Sequence, residues 1–376
     1  MPERRGVGFG RRTEETASQT GGGPDETPWP EGAARLDEDA AILLLPPRPR
    51  RGHKGSFGKL LAIAGSLDYA GAALLVCRAA GRSGVGLVTL AVPETLQPLF
   101  AAKVVEATTM ALPEDDVEEI DPEPALARIL DHEHDALVVG PGLRPGLATS
   151  ELVRQLMDGG EDRPPLVLDA EALRALAAMD GWWVGERRAA VLTPHAGEFA
   201  RLRTGSGVAA DADGDLVDDD AARVAAARDA AATWHQVVVL KGARTVIADP
   251  NGDVAVAPFE NPALATGGTG DVLSGAIGGL LAQGIAPFAA ARLGVYLHGA
   301  AGEIGRERFG DAGLLASDLP DGLAIARRRL AAIAERQTSG KRLGFRVREP
   351  APPPDQDRAP GDKPAAPSET SDATPA

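Results

Sequence analysis

Six short apolar runs recur through the middle of this chain, at residues 60–64, 86–92, 136–139, 166–168, 190–192 and 237–240. Most are followed within a residue or two by Gly, Pro or Asp, and most have the length of an ordinary strand. They are apolar on both faces, and strands of that kind must be covered from above and below. Helical patterns lie between them, at 70–81, 151–157, 171–179, 197–203 and 221–234. Two Ala-rich amphipathic helices follow at 287–305 and 319–334. Strands that alternate with helices predict a layered α/β domain around a mostly parallel sheet. One hairpin is expected, with 244–248 and 254–257 flanking Asp249-Pro250-Asn251-Gly252, because Asn-Gly between apolar runs favours a tight turn.

The ends read differently. Residues 1–36 and 339–376 are rich in Gly, Pro and polar residues and are expected to be disordered tails around a domain at 37–338. The net charge is −15, which argues against a nucleic-acid partner or an anionic membrane surface. A single cysteine, Cys77, excludes a disulfide framework and any Cys-rich zinc site, and is expected to be a small core residue. The first 31 residues lack the apolar core of a signal peptide, and no apolar run approaches membrane-spanning length, so a cytoplasmic protein is expected. His132 and His134 read as a surface pair, and the acidic stretch 211–220 as a solvated loop.

The most informative stretch is Thr266-Gly267-Gly268-Thr269-Gly270-Asp271. Apolar residues then recur at Val272, Leu273, Ala276, Ile277, Leu280 and Leu281, on one helix face that ends near Gly284. Glycines opening into a helix start leave free N–H groups and a positive dipole end, which suit an anion. Asp271 at that point could serve as a general base toward a substrate hydroxyl. It could equally cap a glycine-rich turn. Asp169 has a similar pair of readings, a nucleotide contact or a cap on the following helix.

Taken with other segments, this loop resembles the G-x-G-D signature of the ribokinase-like fold. Gly52-His53-Lys54-Gly55-Ser56-Phe57-Gly58 precedes the first strand and Gly65-Ser66-Leu67-Asp68-Tyr69-Ala70-Gly71-Ala72 follows it. Next come Gly140-Pro141-Gly142-Leu143, Leu168-Asp169-Ala170-Glu171 and Thr193-Pro194-His195-Ala196-Gly197-Glu198, then Lys241-Gly242-Ala243-Arg244-Thr245. In this order they resemble the bacterial ADP-dependent NAD(P)H-hydrate dehydratases, over roughly residues 36–334. The chain departs from the family pattern at Ala196, where Pro is usual, and at Ala263-Leu264, where Gly-Met is common. The epimerase domain that some relatives carry in front is not expected on this chain.

The resemblance implies a three-layer α/β/α ribokinase-like domain. It implies an ADP-dependent lyase that returns the S-epimer of hydrated NADH or NADPH to NAD(P)H, leaving AMP and phosphate. Asp271 would be the catalytic base. Ala72, Gly142, His195 and Asp271 would contact the hydrated dinucleotide. Lys241, Gly242, Ala243, Arg244, Thr245 and Gly270 would hold ADP, and Gly268, Thr269 and Gly270 would cradle the migrating phosphoryl group. Mg2+ would accompany ADP, with Glu198 near it indirectly. A homotetramer working with an epimerase on a separate chain is also implied. The runner-up is a small-molecule kinase of the same fold, of the hydroxymethylpyrimidine or thiazole type; a nucleotide-binding regulator is a third reading. His195 in place of the kinases' Asn, and the His53-Lys54-Gly55 segment, favour the dehydratase.

Overall fold

The computed structural model describes residues 29–342, apart from 117, 161, 205, 207 and 209–215. The chain divides into two compact units, Met1–Ile333 and Ala334–Ala376, and the described residues of the second are helical. Residues 339–342 of the expected C-terminal tail are helical; 343–376 and the first 28 residues of the expected N-terminal tail lie outside the described residues.

The strands are β1 (Ala34–Arg35), β2 (Lys59–Ile63), β3 (Leu87–Pro93), β4 (Thr108–Leu112), β5 (Glu114–Asp116) and β6 (Glu119–Ile120), then β7 (Ala136–Val139), β8 (Leu166–Leu168), β9 (Ala190–Leu192), β10 (Val237–Leu240), β11 (Val246–Ala248) and β12 (Val254–Val256). Ten of them form one sheet in the order β1-β12-β11-β10-β9-β8-β7-β2-β3-β4, while β5 and β6 pair separately. All neighbours in the large sheet are parallel except β11, which runs against β10 and β12 through the expected hairpin. At its turn the Asp249 carboxylate accepts from the Asn251 and Asp253 amides at 2.9 and 3.1 Å, and Gly252 takes a φ of 95°.

Alternation along each strand sends side chains to two separate cores. Leu60 and Ala62 of β2, Val138 of β7 and Val167 of β8 face one core. Leu61, Ile63, Leu137, Val139, Leu166 and Leu168 face the other. The first core is closed by α1 (Glu38–Ile42), α2 (Ala70–Ser83), α3 (Gln97–Ala101), α9 (Thr269–Leu281), α10 (Pro287–Phe309) and the start of α11 (Leu319–Arg342). The second is closed by α4 (Pro122–Asp131), α5 (Leu147–Met157), α6 (Glu171–Ala177), α7 (Ala196–Arg203) and α8 (Asp220–Trp234). The three-layer arrangement is therefore as expected.

Three boundaries differ from expectation. Ala34 and Arg35 pair with Ala255 and Val256, and Leu36 is fully buried, so the sheet begins inside the stretch read as tail. β4 was missed because two threonines interrupt its apolar pattern; it sits at the sheet edge, where one side needs no strand partner. Helix α9 starts at Thr269, with Gly268 as its N-cap, so Asp271 is the third helical residue rather than a cap.

α9 lies close against α2 and the sheet because it carries glycines there. A Cβ at Gly275 would stand 2.4 Å from the Val76 carbonyl oxygen, and one at Gly278 2.2 Å from Val138 Cγ2. Gly275→Ala gains about 1 kcal/mol of helix propensity. Overpacking against an immovable backbone costs about 1–3 kcal/mol and wins. The substitution is expected to lower Tm by several degrees in calorimetry; a higher Tm would mean that the two helices are not so closely packed.

Candidate active site

The parallel strands all end on one side of the sheet, where ligands of open α/β folds bind. The β2–α2 turn, residues 140–142, Asp169, residues 193–198 and Lys241 follow strands at that side, and α9 begins there. The turn at 140–142 is tied to the β2 end by hydrogen bonds from Gly65 N–H to the Pro141 carbonyl and from Gly140 N–H to the Ile63 carbonyl.

A cleft of about 470 Å³ opens beside the start of α9. Lys241, Gly242, Ala243 and Thr245 line it together with Thr269 and Gly270, and Phe259, Leu264 and Val295 add apolar surface. The 241–245 loop is held from below by Arg223, a buried residue that sequence reasoning missed. Its guanidinium donates to the carbonyls of Leu240, Ala243 and Arg244. A Cβ at Gly242 would stand 2.7 Å from that guanidinium. Arg244 departs from expectation. Its side chain pairs with Asp220 at 2.9 Å and Glu260 at 2.8 Å and lies over Trp29, and it is not among the residues lining the cleft.

At the glycine loop, Gly268 takes a φ of 92° and packs where a Cβ would meet Leu75 of α2 at 2.8 Å. The Thr269 N–H donates to the Thr266 carbonyl, and its hydroxyl bonds to the Leu264 and Thr266 carbonyls at 2.9 and 3.0 Å. Thr269 is therefore committed to holding the loop rather than offered to a ligand. The amides of Gly270 and Asp271 belong to the first helical turn, which has no carbonyl four residues back to satisfy it. These are the donors a phosphoryl group would meet.

Asp271 is pushed up to about 7, by burial first and then by the Asp169 charge, with Lys241 opposing. A carboxyl poised near neutrality is suited to taking a proton. Lys241 donates to Asp169 Oδ1 at 2.8 Å and stands 3.7 Å from Glu198 Oε2. Burial disfavours its ammonium, but Asp169 and Glu198 outweigh that and hold it above its ordinary range. Asp169 is 2% exposed; burial raises it, but Lys241, Ser274 and the Ala170 amide more than offset this and keep it ionised. It is neither an exposed nucleotide contact nor a helix cap.

His195 is the N-cap of α7. Its Nδ1 accepts from the Gly197 and Glu198 amides at 3.1 and 3.4 Å, so its proton is assigned to Nε2, on the exposed ring edge. Glu198 in turn accepts from the His195 amide at 2.9 Å. His195, Glu198, Lys241 and Asp169 thus form a continuous polar row. Gly142 and Ala72 pack against each other at this end of the sheet: a Cβ on Gly142, at φ 67°, would lie 2.8 Å from the Ala72 Cβ.

Two more residues were not foreseen. Ser274 Oγ donates to Asp169 Oδ2 at 2.5 Å from one turn beyond Gly270. His298, on α10, lines the cleft and donates from Nε2 to the Thr269 carbonyl at 2.9 Å. Burial, then the nearby Lys241 charge, bring its pKa down to about 4, so it is neutral at physiological pH. A lone His in an Ala-rich apolar helix was the available signal. The His53-Lys54-Gly55 segment, by contrast, lies before β2 and away from the site. It forms a 3-10 turn followed by Gly58, at φ 81°, where a Cβ would stand 1.7 Å from the Ala282 carbonyl oxygen, so that glycine serves close packing.

The sequence profile described as NAD(P)H-hydrate dehydratase matches residues 60–324. The chain belongs to the NAD(P)H-hydrate dehydratase family. It is 43% identical over 289 residues to the bifunctional NAD(P)H-hydrate repair enzyme of Moorella thermoacetica, covering 76% of this chain and 52% of that one. The chain spans about half the length of such bifunctional relatives. It is 37% identical to the ADP-dependent (S)-NAD(P)H-hydrate dehydratase of Bacillus subtilis, covering 76% of this chain and 94% of that one. The crystal structure of a Bacillus subtilis ADP/ATP-dependent NAD(P)H-hydrate dehydratase, co-crystallised with ATP and Mg2+, superimposes with a TM-score of 0.66 at 33% identity, covering 80% of this chain and 99% of that one. Ribokinase-like proteins share the layer arrangement. Family membership favours the dehydratase over the kinase reading.

Among the described residues no helix is long and apolar enough to cross a membrane, and Cys77 is buried in the first core with its thiol pushed up to about 12 by burial.

Proposed function

We propose that this protein is an ADP-dependent dehydratase that returns the S-epimer of hydrated NADH or NADPH to the intact cofactor. The observation that carries the reading is Asp271, a base poised near neutrality at the start of α9, next to the Lys241 loop and its cleft. Hydroxide is a poor leaving group, so the ring hydroxyl is first phosphorylated. Asp271 accepts the hydroxyl proton as the oxygen attacks the terminal phosphorus of ADP, and the bond to AMP breaks. The Gly270 and Asp271 amides and the Lys241 ammonium meet the negative charge of the group in transit. The ring nitrogen then expels phosphate, and loss of the neighbouring ring proton restores the dihydropyridine.

Among the described residues no group of three His, Cys, Asp or Glu side chains could cage a metal ion. Mg2+ suits this arrangement if it arrives on the nucleotide, since it is commonly held by phosphates with one carboxylate, and Glu198 is the carboxylate that would face it. Its chemistry there is to neutralise phosphate charge.

The hydrated dinucleotide is assigned to the His195, Ala72 and Gly142 side and ADP to the 241–245 side. His195→Ala is expected to weaken the hydrated dinucleotide about tenfold while leaving ADP affinity within about twofold, at a cap cost of about 1 kcal/mol. Calorimetric titration of each ligand checks this; equal loss of both would remove His195 from the dinucleotide side. The bifunctional relatives support coupling to an NAD(P)H-hydrate epimerase. A cytoplasmic homotetramer completes the proposal, and sedimentation tests the assembly. The deciding experiment is incubation with hydrated NADH and ADP while NADH absorbance is followed. Recovery with release of AMP supports the proposal. Phosphorylation of a hydroxymethylpyrimidine or thiazole alcohol without NADH recovery would replace it.

A further inference from the structure

The chemistry above uses Asp271 and Lys241 and leaves Asp169 and Ser274 without a task. We infer that Asp169, held by Ser274, is a positioning residue: it fixes where the Lys241 ammonium stands over the glycine loop, so that the lysine meets a phosphoryl group instead of neutralising Asp271. This rests on the phosphoryl-transfer reading of the site.

A lysine is a point charge on a flexible four-carbon stem, so its ammonium goes where its nearest fixed partner holds it. Three carboxylates compete for Lys241. Asp169 Oδ1 is 2.8 Å away, Glu198 Oε2 is 3.7 Å away, and Asp271 acts on it through its charge. Asp169 has the closest contact and is itself immobile. Its Oδ1 also accepts from the Ala170 amide at 2.9 Å, and its Oδ2 accepts from Ser274 at 2.5 Å. Ala170 takes a φ of 48°, a strained conformation for a residue with a Cβ, next to this carboxylate.

Ser274 links the carboxylate to the loop. Its hydroxyl also lies 3.0 Å from the Gly270 carbonyl, so the turn of α9 that carries Gly270 and Asp271 is tied to Asp169. Gly270 lies beside both charged groups, at ordinary contact distance. A Cβ on Gly270 would stand 3.4 Å from Lys241 Nζ and 3.8 Å from Asp169 Oδ2. The end of β8, the end of β10 and the start of α9 are thereby held in register through one buried carboxylate. Without its charge, Lys241 is released toward Glu198 and Asp271 and the base is quenched.

The test compares wild type, Asp169→Asn and Ser274→Ala by steady-state kinetics and by lysine 15N NMR of the ligand-free proteins. Misplacement of a catalytic group by an ångström costs about 10²-fold in rate. Asp169→Asn is expected to lose about that much kcat while the KM for ADP moves less than about threefold. The Lys241 ammonium signal, sharp in wild type because the group is shielded and bonded, should broaden or vanish. Ser274→Ala should move kcat and signal the same way, by about tenfold in kcat. A signal unchanged in both variants overturns the inference, as does a loss confined to the KM for ADP. If wild type fails to turn over hydrated NADH, the functional proposal falls, and the NMR comparison still decides the role of Asp169. If Asp169→Asn does not fold, Ser274→Ala decides alone.

Discussion

Asp271→Asn is expected to abolish turnover and, above pH 7, to make the protein more stable than wild type. The activity loss follows from removing the base while keeping its shape, and general bases contribute about 10²–10⁴-fold. The stability gain follows from linkage. The folded carboxyl is raised from an ordinary 3.8 to about 7, so the folded state holds its proton where the unfolded chain has released it. Wild type is therefore most stable with respect to this group below pH 4 and loses that stability as pH rises to 7. At about 1.4 kcal/mol per pKa unit, the ionised group costs on the order of 4 kcal/mol. The asparagine carries no such cost. The gap in Tm should open from pH 4, reach its full size near pH 7 and then stay level, and calorimetry across pH reads it directly. In wild type, kcat/KM should fall on the acid side with an apparent pKa near 7. A pH-independent gap, or an acid limb near 4, would place the base elsewhere.

Lys241→Ala should have the opposite effect on stability. It leaves Asp169 buried with only the Ser274 hydroxyl and the Ala170 amide as partners. Removing one partner of a buried pair costs about 3–5 kcal/mol, because the remaining charge stays desolvated. The sign with pH can be stated. In wild type Asp169 is held low, so its contribution is present above 3.8 and lost as pH falls. In the variant burial drives the carboxyl up, so the variant gains relative stability as it protonates. The two proteins should converge in acid and diverge at neutral pH. ADP affinity should fall at least tenfold, since the ammonium is the cationic group among the described residues that line the cleft. A variant as stable as wild type at pH 7 would mean that Asp169 is not the buried, ionised partner described.

The interior strands were legible because a parallel strand covered on both sides must be apolar on both sides, as Val138, Val167 and Val191 are between their neighbours. The hairpin was legible because Asn251-Gly252 dictates its own turn. The loop at Gly268 to Asp271 was legible because glycine frees the backbone locally and the helix after it has its own period. Each of these signals is contained within about ten residues of chain. The pairing of β1 was not, since it depends on a strand more than 200 residues away.

The site shows the same division. Asp271, Lys241, His195 and Glu198 were marked by motifs of contiguous residues. Arg244 was marked by the same kind of motif, yet its side chain is drawn to Asp220 and Glu260. Asp169 meets Ser274 across 105 positions and Lys241 across 72, and His298 reaches Thr269 across 29. Local chain chemistry dictates which segments become strands, helices and turns, because those preferences act over a few residues. Which buried charges face one another depends on the order of strands in the sheet. Only that tertiary arrangement gives Asp271 its near-neutral pKa and places Lys241 between three carboxylates, because burial and Coulomb interaction act through space and not along the chain.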